Sequence, residues 1–129
     1  MSDFIIKKSK IHGKGVFASR NFKKGEVVIK WDLSNTIKKK DIKKLPKNIR
    51  KNVYFYKGKY IIPISSPGKY LNHSCDANTF AKNSRDIARR NIKKNEEITI
   101  DMSNEAIVGL NMKCRCGSKD CKKIIKSVV

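Results

Sequence analysis

Acidic side chains are scarce in this sequence. Only 11 Asp plus Glu stand against 31 Lys plus Arg, a formal net charge of +20. Such a surface repels a naked basic tail and attracts polyanions, which bind by releasing condensed counterions. Nucleic acid is the first partner this suggests and an acidic protein the second; Ile and Asn are abundant too, so compositional bias accounts for the lysines equally well. Long apolar runs are also missing. None reaches the ~18 residues of a membrane-spanning helix, and the opening Met1–Lys10 lacks the apolar region of a signal peptide. A soluble cytoplasmic protein with no membrane partner is expected, nuclear or chromatin-associated in a eukaryotic host. No repeat, linker or low-complexity tract is evident, and 129 residues make one domain. A core this small benefits from a staple.

The cysteines offer one. Of the four, Cys114, Cys116 and Cys121 cluster near the C-terminal end, with Gly117 permitting a turn between them. Clustered cysteines in a chain that is not secreted point to metal. A closed tetrahedral zinc site takes four ligands, so Cys75 is expected to complete the set. Free thiols are one alternative. His73 in place of Cys75 is another, with the two side chains expected on opposite faces of a strand.

Elsewhere the pattern is of many short strands. Phe4-Ile5-Ile6, Val16-Phe17-Ala18, Val27-Val28-Ile29, Ile87-Ala88 and Ile98-Thr99-Ile100 are apolar or β-branched runs. Turns are expected at Lys24-Gly25, Lys57-Gly58 and Lys94-Asn95, and a break at Ser65–Gly68. Ile42, Leu45, Ile49 and Val53 share a helical spacing that Pro46 interrupts, which predicts two short turns. Eight basic residues and one acid fall between Lys38 and Lys51, the most basic stretch of the chain.

Four motifs then occur in order: His12-Gly13-Lys14-Gly15-Val16-Phe17-Ala18, Asn72-His73-Ser74-Cys75, Glu96-Glu97-Ile98-Thr99-Ile100-Asp101 and the Cys-x-Cys-x4-Cys tail, with Ala88–Ile92 leading into the third. Together they resemble the SET-domain lysine methyltransferases that carry a post-SET zinc knuckle. The resemblance implies a mainly β fold of several short-stranded sheets with a threaded C-terminal segment. It divides the chain into a SET domain at 1–110 and a zinc-binding tail at 111–129. It assigns S-adenosylmethionine to Gly13, Lys14, Gly15, Asn72 and His73, with Arg115 near it. Zinc falls to Cys75, Cys114, Cys116 and Cys121. Trp31 and Tyr70 would wall a lysine channel, each with ordinary core packing as the other reading, and Ile100 would stand in it where aromatics of the family influence how many methyls are added. The substrate is a protein with an exposed lysine, and a homodimer would cover apolar surface.

One position departs from the family pattern. The third motif normally ends in a tyrosine that lines the channel; here it is Met102. A thioether donates no hydrogen bond and cannot orient an amine as a phenol does. Tyr54, Tyr56 or Tyr60 are candidates for the missing hydroxyl. Two alternatives to an enzyme follow: a non-catalytic relative that binds cofactor or peptide, and a basic zinc module that binds nucleic acid.

Overall fold

The computed structural model describes residues 3–50, 52–63, 68–102, 111–113, 119 and 121–126. Among these the chain is mainly β, as expected. Strands β1 (Phe4–Lys8), β2 (Lys14–Ala18), β10 (Glu97–Ile100) and β7 (Asn72–His73) form one sheet in the order β1-β2-β10-β7. The β10–β7 pair is parallel, with Thr99 opposite Asn72 and Ile100 opposite His73. A second sheet, β3-β9-β8, joins Val27–Lys30 to the hairpin of β8 (Thr79–Lys82) and β9 (Arg85–Ala88). A third, β4-β6-β5, is built from Thr36–Ile37, Lys59–Ile61 and Tyr54–Tyr56. Strands β11 (Asn111–Lys113) and β12 (Ile124–Lys126) pair antiparallel. The expected threaded segment and most of the cysteine tail lie outside the described residues.

Turn chemistry sets the hairpins. Lys57 and Gly58 have φ of 48° and 80°, the double left-handed turn that matches strand twist. Asn83 and Ser84 do the same between β8 and β9, at φ 51° and 57°. The interrupted apolar face also forms as its spacing predicts. A 3₁₀ turn spans Lys39–Lys44 and helix α1 spans Lys47–Arg50, with Ile42 and Val53 buried and Leu45 and Ile49 half-buried. Pro46 separates the two.

The core gathers Val16, Ala18, Phe22, Val28, Ile29, Leu71, Ala88, Ile92 and Ile98 from both larger sheets. Its centre holds a feature contrary to the expectation of no repeat. Ala18–Glu26 (ASRNFKKGE) and Ala88–Glu96 (ARRNIKKNE) agree at six of nine positions. The two segments fold alike and clasp each other. Phe22 and Ile92 exchange both backbone hydrogen bonds at 2.8 Å. Asn91 Oδ1 accepts from Lys24 N–H at 2.9 Å, and Asn21 Oδ1 from Lys94 N–H at 2.8 Å. Gly25 N–H donates to Ala88 O, and Asn95 N–H to Ala18 O. One short pair of segments, far apart in sequence, gives no periodicity to detect.

Gly25 and Asn95 hold the same left-handed position, at φ 89° and 75°. A Cβ at Gly25 would meet nothing within 4 Å, so only backbone strain opposes one. Gly25→Ala should therefore lower stability by about 1–2 kcal/mol, while Asn95→Gly should cost nothing. Urea unfolding of both variants tests this; equal losses would show that the left-handed backbone is not what the position demands.

Candidate functional site

Three of the expected motifs meet at one amide. Asn72, on β7 and 8% exposed, donates through Nδ2 to His12 O and Lys14 O, both at 3.0 Å, and to Glu97 Oε2 at 2.9 Å. Asn72 thus ties the loop around Gly13 to the start of β10. Ser9 folds the near side of the loop. Its hydroxyl donates to Glu97 Oε1 at 2.8 Å and accepts from Ile11 N–H at 2.9 Å, while its own N–H reaches Gly13 O. The two glycines serve different ends. Gly13 has φ 46° and open space where a Cβ would stand; a Cβ on Gly15 would fall onto the Glu97 carboxylate. What crowds Gly15 is therefore this acid.

His73 is 2% exposed. Its Nδ1 accepts the Met102 backbone N–H at 2.9 Å, so the neutral ring carries its proton on Nε2, which lies 3.3 Å from Cys75 Sγ. Burial pushes the imidazole below its ordinary pKa; Asp101, with Oδ1 3.7 Å from Nδ1, opposes this, and Lys122 adds to it. The expectation that His73 and Cys75 point to opposite faces is wrong. Residues two apart share a face of a strand, and Cys75 stands in the turn just past β7. The Cys75 sulfur also accepts Lys122 N–H at 3.1 Å, placing it against the Cys121–Lys122 peptide. Cys114, Arg115 and Cys116 lie outside the described residues, and no group of three metal-binding side chains occurs among the described ones.

The four channel candidates fall into two groups. Tyr70 and Ile100 pack half-buried against the main core, and Lys14 Nζ sits 5.9 Å from the Tyr70 ring centroid, so Tyr70 adjoins the glycine loop. Met102, two residues past β10, is half-buried and meets His73 through its main chain. Trp31 belongs to a separate aromatic cluster, edge-on to Tyr54 at 5.6 Å and to Tyr56 at 5.2 Å. Tyr60 packs instead on Phe55 at 5.0 Å.

Three residues matter here that the sequence did not single out. Asn78 is buried and laces β8 to β10, donating to Glu96 Oε2 and Glu97 O and accepting Thr99 N–H at 3.0 Å. Glu97 was visible only as part of a motif. Asp86, 3% exposed in the middle strand of its sheet, accepts the Trp31 indole N–H. A lone acid between Arg85 and Ile87 carries no sequence signal of burial.

Desolvation pushes the Asp86 carboxyl up from 3.8 to about 6, and the indole N–H only partly offsets it. The folded state therefore prefers the protonated acid. Below pH 4 folded and unfolded states are both protonated and no penalty arises. As pH rises through 6 the full cost appears, about 3 kcal/mol for a shift of roughly two units. Asp86→Asn keeps an acceptor for Trp31 without the charge. Its stability relative to the parent should grow between pH 4 and pH 6 and then level off, as read from urea midpoints; a pH-independent difference would remove the charge from the account.

Comparison with known proteins adds the following. A family model described as the SET domain matches residues 13–102. A candidate histone-lysine N-methyltransferase 1 of Plasmodium falciparum (isolate 3D7) is 32% identical over 134 residues, covering 90% of this chain and 2% of its own length. Histone-lysine N-methyltransferase 2B of Homo sapiens is 28% identical over 142 residues, covering 93% of this chain and 5% of its own. The chain thus spans only a small part of either relative. A crystal structure of a candidate histone methyltransferase from Plasmodium falciparum superposes with a TM-score of 0.57 at 23% identity, covering 78% of this chain and 93% of that one, a likeness of fold. No described helix is long and apolar enough to cross a membrane.

Proposed function

We propose that this chain, which belongs to the SET domain family, transfers a methyl group from S-adenosylmethionine to a lysine of a protein substrate. Relatives named as histone-lysine methyltransferases favour a histone-type substrate and a nuclear or chromatin setting. The observation that carries the reading is the Asn72 amide, which holds His12, Lys14 and Glu97 together. Open space at Gly13, the Asn72 amide and the buried imidazole of His73, flanked by the Glu97 and Asp101 carboxylates and by Lys122, offer directed polar groups together with charges of both signs. That suits a zwitterionic amino-acid end, which needs directed donors and acceptors. When bound, S-adenosylmethionine supplies an electrophilic methyl on a sulfonium. Gly13, Lys14, Gly15, Asn72 and His73 hold it, with Arg115 alongside.

The acceptor lysine enters as the neutral amine, having lost its proton to solvent. Bound beside it, the cofactor would supply the methyl to that nitrogen, and the thioether would be the leaving group. The protein aligns nitrogen, carbon and sulfur and excludes water. Tyr70 and Ile100 wall the channel beside the glycine loop. Met102 gives no hydroxyl; Tyr54 and Tyr56, which pack on the expected channel residue Trp31, are the candidates for the phenol that orients the amine. Methyl transfer to histone peptides tests this. Tyr54→Phe or Tyr56→Phe should lower kcat about threefold to tenfold, the worth of one hydrogen bond, and Met102→Tyr should restore it. Saturable cofactor binding with transfer only in Met102→Tyr would make the parent a non-catalytic binder. No cofactor binding in either would refute the reading.

The tail at 111–129 is assigned a structural zinc on Cys75, Cys114, Cys116 and Cys121. The fit rests on Cys75. Its sulfur accepts the Lys122 backbone N–H and faces His73 Nε2, and it lies against the backbone next to Cys121. A proton on Nε2 leaves that nitrogen no lone pair for metal, which favours Cys75 over His73. Cys75→Ser should lose the single zinc per chain and weaken cofactor binding together, because metal binding is linked to folding of the tail. A variant that keeps its zinc would place the fourth ligand elsewhere.

A further inference from the structure

The lysines of this chain are spread unevenly in space. A groove of about 1040 Å³ opens between the 3₁₀ turn and the β5–β6 hairpin, and six lysines are among the residues that line it, Lys38, Lys39, Lys40, Lys43, Lys44 and Lys59. Asp41 is the sole acid on its wall, and it pairs with Lys44 at 3.2 Å. The other described acids are committed elsewhere. Asp3 and Glu26 hold Arg20; Asp76 holds Arg89 and Arg90; Asp101 faces His73 and Lys122. Glu96 and Glu97 bond Asn78, Ser9 and Asn72; Asp86 is buried against Trp31, and Asp32 closes a turn with Ser34.

A concave wall of one sign focuses its field, and drawing like charges together carries a cost that an anion would relieve. The 3₁₀ turn carrying four of these lysines is anchored from beneath by buried Ile42, which holds their backbone at the groove. We infer that this groove binds the phosphate backbone of double-stranded nucleic acid. Duplex phosphates form a continuous polyanion whose capture needs charge alone. An acidic peptide would want apolar or aromatic anchors in pockets, and the lining offers only Ile37 and Tyr60, both half-buried. Lysines are compact point charges without the planar fork of arginine, so binding is independent of base sequence. The site stands apart from the Asn72–His73 constellation and holds whether or not methyl transfer does.

Fluorescence anisotropy with a labelled DNA duplex of random sequence, titrated across salt, reads the site directly. Each duplex phosphate neutralised contributes about 0.9 to the slope of log affinity against log salt. The variant Lys39→Gln/Lys40→Gln/Lys43→Gln should lose about 2.7 of that slope. A control, Lys82→Gln/Lys93→Gln/Lys94→Gln, removes equal charge outside the groove and should lose less than about 1. The corresponding Arg triple at 39, 40 and 43 keeps the charge and should keep the slope, and unchanged thermal midpoints show that all three fold. Equal losses in the groove and control triples would overturn the proposal in favour of diffuse attraction. Polyglutamate that displaces the duplex at equal charge concentration would overturn it in favour of an acidic protein. Methyl transfer to a free peptide should be the same in all three variants, which separates this test from that of the enzyme.

Discussion

Glu97 has its carboxylate seated where the side chain of Gly15 would be, and much of the site depends on that placement. One oxygen receives the Ser9 hydroxyl, the other the Asn72 amide. Three segments distant in sequence are thereby closed around a single partly buried charge. Such a charge is tolerable only while its acceptor sites are filled, and leaving donors or acceptors unpaired costs more than the bonds themselves return. The loop, the parallel β7–β10 pair and the glycine are thus mutually required. A side chain at position 15 displaces the acid, and without the acid Asn72 loses one of its three acceptors.

Much of this frame is legible in the sequence because local chemistry dictates it. Lys57-Gly58 makes its hairpin turn, Pro46 splits its helix, and the β-branched runs at Val27 and Ile98 become strands. What escapes has a common physical character. The clasp between Ala18–Glu26 and Ala88–Glu96 depends on side chains that cap each other's turns, information that no single window contains. Strand β8 has no alternating pattern, and its pairing is secured by Asn78 and the Asn83-Ser84 turn. The motif residues Asn72 and His73 could be named in advance, but not their partners. Asp86 could not be named, since burial of a lone acid is a property of the assembled sheet.

The distribution of acids follows from the same constraints. Structural carboxylates cap turns or close polar networks at the clasp and around Asn72, which uses up a small supply. The surface between Lys38 and Lys59 is left almost uncompensated, because nothing in the fold requires an acid there. Ten basic residues and one acid fall between Lys38 and Lys59, so this short stretch carries nearly half of the net charge of +20.

Position 102 bears on how separable the parts of the site are. His73 uses the Met102 backbone N–H, a group that every residue except proline supplies. The hydrogen bond that fixes the imidazole tautomer, and through it the donor facing Cys75, is therefore indifferent to the side chain at 102. A change of side chain there leaves that hydrogen bond available. The contacts of the Asn72–His73 constellation and the side chain at 102 are therefore set by different atoms, and any substitution at 102 other than proline keeps the first while altering the second.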